Sequence, residues 1–299
     1  MKIPLDKARC GIVSGTMNKL PMCVLALALA GAAAVTAQRL QAPFNGPFTA
    51  PVVGYEIVRT YPHDTGALTQ GLLYQNGFLY ESTGERALSS LRKVELATGK
   101  VVQRLNLDPM QQTEGLAELN GRFYALTLRG GFGTIFDKES FIPVGKFTYS
   151  APADGTAPQS QWAIAFDGPQ RMIITGPTQY MYIYDPATMK EIERITVKDG
   201  PNEIGRLDEL EMINGELWIN VYQTPRAAVV DPKTGVVKRW VDFSGIVGPD
   251  GKALMPVQPD AIADHVLNGI AWDAQGQRLF VTGKNFKQIF EVRVKPRSS

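Results

Sequence analysis

The 299-residue sequence predicts an all-β protein, a five-bladed β-propeller, on three observations. First, one kind of phrase opens five strand-like segments: Thr69-Gln70-Gly71-Leu72, Thr113-Glu114-Gly115-Leu116, Gln161-Trp162-Ala163-Ile164, Leu207-Asp208-Glu209-Leu210 and Leu267-Asn268-Gly269-Ile270. Their second residues lie 44, 48, 46 and 60 positions apart, a period that holds several short strands and hence one blade. Second, each phrase is followed by Asn, Asp or Gln plus Gly, and in most cases then by an apolar run such as Phe78-Leu79-Tyr80 or Leu217-Trp218. Third, a later turn recurs as Ala97-Thr98-Gly99-Lys100, Asp185-Pro186-Ala187-Thr188 and Asp231-Pro232-Lys233-Thr234-Gly235. Pro presets the first turn angle and Gly supplies a positive one, which suits the hairpin between a blade's outer two strands.

Taken in order, residues 1–37 stand outside the fold. Lys19 precedes the apolar run Cys23–Ala30, which ends in a small-residue stretch closing at Ala37: the pattern of a cleaved signal peptide. The run is too short and Ala-rich for a stable membrane span. Export to the periplasm or the medium is therefore expected, with no membrane attachment after cleavage. Residues 38–54, rich in Pro and Gly, read as a flexible leader. One propeller domain follows over 55–296, its blades starting near 68, 112, 160, 206 and 266. The early segment Tyr55–Tyr61 is expected to supply the outermost strand of the last blade, closing the ring and hiding its edges. The stretch 244–265 reads as an insertion between the last two blades.

Composition narrows the function. Both cysteines, Cys10 and Cys23, fall in the removed segment, so the mature chain has no disulfide and no thiol nucleophile. Removing the four basic residues and one acidic residue of 1–37 leaves 27 basic and 28 acidic residues. A balance near −1 gives no electrostatic case for nucleic acid or anionic membranes. Two histidines, His63 and His265, leave a catalytic zinc site short of ligands. Both are assigned to loops or blade closure. No nucleophile elbow and no nucleotide-binding glycine loop is present.

The blade-opening residues converge on one channel, as a carboxylate pair (Glu114 and Asp208), two carboxamides (Gln70 and Asn268) and an indole (Trp162). Packing alone would be served by apolar residues there, so this set reads as a site. Six pieces, in order over about 55–294, resemble the plant and bacterial type of glutaminyl-peptide cyclotransferase. They are Tyr61-Pro62-His63-Asp64, Thr69-Gln70-Gly71-Leu72, Tyr80-Glu81-Ser82-Thr83-Gly84, Leu207-Asp208-Glu209-Leu210-Glu211, Leu267-Asn268-Gly269-Ile270-Ala271 and Val281-Thr282-Gly283-Lys284. The resemblance implies a five-bladed propeller that cyclises N-terminal glutamine of peptides and proteins to pyroglutamate, releasing ammonia.

That reaction needs no protein nucleophile, because the substrate's α-amine attacks its own γ-carboxamide. The site must hold the ring-forming pose, accept a proton from the amine and donate one to the departing ammonia. Glu114 is the candidate proton shuttle, with a pKa raised in a partly apolar pocket. Gln70 and Lys284 are expected to bind the amide or stabilise the oxyanion, and Trp162 to wall the glutamine side chain. Asp208, Tyr222 and Asn268 are further substrate-binding candidates. The pattern departs from the family at Leu68, Gln112, Leu128 and Tyr222, where aromatic residues shrink or change, and at Asp208, where an Asn becomes a carboxylate. A catalytically silent propeller that binds a peptide or small ligand in the channel is the alternative. No cofactor and no catalytic metal are expected. A structural calcium stays open, since Glu114, Asp208 and Asn268 make part of a cage. A monomer is expected.

Overall fold

A computed structural model describes residues 42–85, 87–149, 161–255 and 265–295, all within one compact unit, 40–299. The signal-peptide segment, with both cysteines, lies outside the described residues. So do position 160, residues 256–264 of the insertion before the last repeat, and residue 296.

The described residues form strands and turns and no helix. Strand β1 (Val52–Pro62) precedes three four-stranded antiparallel meanders. The first is β2 (Thr69–Gln75), β3 (Phe78–Thr83), β4 (Ser90–Glu95) and β5 (Val101–Asn106). The second is β6 (Thr113–Leu119), β7 (Arg122–Thr127), β8 (Phe132–Asp137) and β9 (Pro143–Thr148). The third is β10 (Ala163–Phe166), β11 (Met172–Thr175), β12 (Tyr180–Asp185) and β13 (Lys190–Thr196). A two-residue pair, β14 (Lys198–Asp199) and β15 (Asn202–Glu203), leads into β16 (Leu207–Ile213), β17 (Glu216–Val221), β18 (Arg226–Val230) and β19 (Val237–Asp242). The chain ends in β20 (Leu267–Asp273), β21 (Arg278–Gly283) and β22 (Gln288–Lys295).

Turn chemistry sets the meanders. Asn76-Gly77, Asn120-Gly121 and Asn214-Gly215 are two-residue hairpin loops with positive φ at both positions. Such turns match the right-handed twist of the strands they join. The strands β2, β6, β10, β16 and β20 each neighbour the next, and β20 returns to β2, so the innermost strands close a cycle. A separate apolar cluster fills each gap between neighbours: Leu116 and Phe123 between the first two meanders, Leu72 and Phe280 between the first and the last. The architecture is all-β and propeller-like.

As expected, β1 adds to the outer edge of β22, antiparallel from Gly54 to Pro62. It also pairs in parallel with β19 at Val52 and Val53, which joins the last two meanders into one eight-stranded sheet. The leader differs from expectation from residue 42 on. Asp199, buried, accepts the backbone N–H groups of Thr49 (3.0 Å) and Ala50 (2.7 Å) and the indole N–H of Trp240 (2.9 Å). Phe44 stacks on Trp240 at 5.6 Å, and Phe48 meets the same ring edge-on at 5.3 Å. Two phenylalanines with an apolar seat and a buried acceptor for the backbone hold this segment in place. Composition in Pro and Gly does not reveal that.

Candidate active site

Four of the five residues at the second position of the repeated phrases sit at breaks in strand register. The pairing slips between Thr69 and Gly71, Thr113 and Leu116, Leu207 and Leu210, and Leu267 and Ile270. Gln70, Glu114, Asp208 and Asn268 lie inside those slips. A bulge leaves a residue out of the ladder and re-aims its side chain, which is how one sheet edge presents polar groups to the channel. Gly115 permits the close approach this needs: a Cβ there would lie 2.7 Å from Ala163 Cα and 2.8 Å from Trp162 O.

These side chains meet in two groups. In the first, Lys284 Nζ lies 3.6 Å from Asp208 Oδ2, and both side chains are buried. The ammonium also sits 5.2 Å from the centroid of the Tyr222 ring, which meets Trp162 edge-on at 5.5 Å. Glu114 is 3% exposed. Burial pushes its carboxyl well above the usual carboxylate range; Lys284 pulls the other way, and Asp208 adds to the rise. Burial likewise raises Asp208 against the pull of Lys284. Asp208 Oδ1 has no hydrogen-bond partner among the described residues, leaving an acceptor free in the site.

In the second group Asn268, fully buried, donates from Nδ2 to Thr69 O (2.9 Å) and to Gln70 Oε1 (3.2 Å). Gln70 is thereby oriented with its amino group as a donor. The amino group of Asn268 is thus committed to the neighbouring strand and to Gln70, while its Oδ1 has no hydrogen-bond partner among the described residues. Gln112, half-buried, donates from Nε2 to Gly84 O (3.0 Å) and ties two meanders together. Leu68 is buried and Leu128 half-buried, each anchored by one backbone hydrogen bond at the same end of the ring, to Gly84 N and Gln112 O respectively.

Four residues carry roles here that the sequence does not assign. Tyr149, just after β9, is buried, donates to Thr127 O (3.3 Å) and has its phenol raised by burial and by the charge of Glu114. Its outer-strand origin carries no signal for an axial site. Arg206 donates to Gln223 Oε1 and lies 5.8 Å from the Tyr222 ring centroid; its place two residues before Asp208 was the available clue. Glu209 accepts Leu72 N (3.3 Å) and Ile270 N (2.9 Å), and Glu211 accepts Trp272 N (3.0 Å). These carboxylates satisfy axis-facing N–H groups that no strand covers, so the acidic run after Asp208 is structural.

Outside this site, His63 serves closure. Its Nδ1 lies 2.8 Å from Phe286 O and its Nε2 3.0 Å from Glu81 Oε1. No group of three or more His, Cys, Asp or Glu residues that would hold a metal occurs among the described residues.

A propeller-like ring whose axis holds a raised carboxyl, a lysine and an aromatic wall belongs to the class of acid–base sites that act on a bound ligand. The comparisons narrow that class. The family model described as glutamine cyclotransferase matches residues 23–294. The glutaminyl-peptide cyclotransferase of Arabidopsis thaliana is 37% identical over 245 residues, covering 82% of this chain and 72% of the relative. The crystal structure of Myxococcus xanthus glutaminyl cyclase matches with a TM-score of 0.72 at 26% identity, over 83% of this chain and 100% of that one. The chain belongs to the glutamine cyclotransferase family.

Proposed function

We propose that this chain converts N-terminal glutamine of peptides and proteins to pyroglutamate with release of ammonia. The observation that carries the reading is Glu114, a buried carboxyl raised well above its usual range and electrostatically coupled to the Lys284–Asp208 pair. A carboxyl of that kind holds its proton to higher pH than an ordinary glutamate and can exchange it with a bound substrate. The glutamine side chain lies against Trp162 and Tyr222. The free Oδ1 of Asp208 accepts an N–H of the α-amine. The amine nitrogen then attacks the γ-carbonyl carbon, forming the ring C–N bond. Negative charge on the carbonyl oxygen is met by Lys284 and the Gln70 amino group. Glu114 donates its proton to the departing nitrogen and regains one from the former amine. The C–N bond to the amide nitrogen breaks, and ammonia leaves.

The four meanders and the β1-completed last one count, on this reading, as five blades. The mature protein is read as an exported monomer that works without metal and without nucleic acid, after removal of residues 1–37. The smaller side chains at Leu68 and Leu128 widen the pocket relative to the family pattern. Incubation with a Gln-initiated peptide and an Asn-initiated control, followed by mass spectrometry, tests the activity. Loss of ammonia from the Gln peptide alone is expected. Binding of the Gln peptide without conversion would favour a silent propeller.

A further inference from the structure

Arg206 stands two residues ahead of Asp208, as Leu68 stands ahead of Gln70, Gln112 ahead of Glu114 and Val266 ahead of Asn268. One backbone hydrogen bond repeats at each of these positions: Gly84 N to Leu68 O, Leu128 N to Gln112 O, Tyr222 N to Arg206 O and Lys284 N to Val266 O. The four residues are therefore equivalent, at the end of the ring that carries Tyr222 and Lys284. Arg206 alone among them is charged. Its backbone is left-handed, with φ 62°, a conformation that non-glycine residues rarely adopt. Its side chain is not a solvated surface cation, for the residue is only 6% exposed. Gln223 Oε1 accepts from Nη1, and the guanidinium shares the Tyr222 ring with Lys284 Nζ. A fixed guanidinium thus sits one aromatic ring away from the lysine at the reacting centre.

We propose that Arg206 is a specificity-determining residue that receives a carboxylate carried one or two residues behind the reacting glutamine. The inference rests on the cyclotransferase reading of the site. With the glutamine held between Trp162 and Lys284, the rest of the peptide leaves the pocket past Tyr222. Each extended residue advances by about 3.3–3.6 Å, so a group just behind the glutamine spans one ring. A preorganised guanidinium matches a carboxylate in charge and in planar geometry. That carboxylate is either the side chain of an acidic second residue or the free C-terminus of a dipeptide.

Four substrates separate the two sources: Gln-Glu-Ala and Gln-Lys-Ala with amidated C-termini, and Gln-Ala as free acid and as amide. In the wild-type protein kcat/KM is expected to favour the Glu peptide over the Lys peptide by about ten-fold, or about 1.4 kcal/mol. In Arg206→Gln that ratio falls close to one, mainly through KM, and Arg206→Lys restores part of it. Because the ratio is taken within each variant, a general loss of activity does not affect it. A preference of the same size for free Gln-Ala over its amide identifies the C-terminus as a second source. A ratio near one in the wild type, or one unchanged in Arg206→Gln, overturns the assignment. If no peptide is cyclised, the cyclotransferase reading fails, and calorimetric titration of the Glu and Lys peptides decides the role of Arg206. Tighter binding of the Glu peptide that is lost in Arg206→Gln sustains it; equal affinities overturn it.

Discussion

At Glu114 three influences meet, in the order burial, Lys284 and Asp208, and two of them can be removed separately. The proposed mechanism needs a neutral α-amine, whose ordinary pKa is about 7.7–8.0, together with a protonated Glu114. The rate therefore rises with pH as the amine deprotonates and falls again as Glu114 ionises. Asp208→Asn removes a charge that raises Glu114, so the alkaline limb should move to lower pH. Lys284→Met removes the charge that lowers it, so the limb should move up, while kcat/KM drops about 10²-fold with the oxyanion partner gone. The pH dependence of kcat in the two variants checks this; limbs that stay in place would separate Glu114 from the reaction. Residue identities at the channel were legible because the repeat phrase marks them. Their division of labour was not. Asn268 and Gln70 carry the same carboxamide, and the buried hydrogen bond that orients one by the other depends on how two distant strands meet.

The register slips do at the level of the strand what no single side chain does. They turn Gln70, Glu114, Asp208 and Asn268 out of the ladder at one end of the ring. Glycine beside the slip lets adjacent strands close up around it. In Gly115→Ala the new methyl meets the Ala163 and Trp162 backbone, which cannot swing aside as a flexible side chain would. A loss of about 1–3 kcal/mol is expected from such overpacking, read as a lower denaturant midpoint with unchanged slope. A neutral substitution would mean that the strands move apart freely. The Asn-Gly hairpins were readable as turn signals because Asn and Gly tolerate the left-handed backbone their loops require. The slips carry no comparable mark, since a bulge depends on how two strands pair. The docking of residues 42–51 was hidden for a related reason: its acceptor, Asp199, and its ring, Trp240, lie far away in sequence.

Ring closure brings distant ends of the chain together, and its pH dependence follows from one imidazole. His63 contacts a carbonyl and a carboxylate, both acceptors, so both ring nitrogens must donate and the bound form is the imidazolium. Burial works against that charge, but Glu81 outweighs it and holds the pKa above the ordinary 6.5. The contribution to stability is therefore complete below about pH 6.5 and is lost as pH climbs through the raised value. Urea midpoints of wild type and His63→Asn should differ most near pH 6 and converge at alkaline pH. A gap that widens with pH would reverse the assigned charge.

The most direct test of the account is pyroglutamate formation by residues 38–299 and by the Glu114→Gln variant, each assayed with and without a chelator. Turnover by the wild type that survives the chelator, and falls by about 10²-fold or more in a variant of unchanged fold, is the predicted result. A Glu114→Gln protein that cyclises the peptide at the wild-type rate would contradict it.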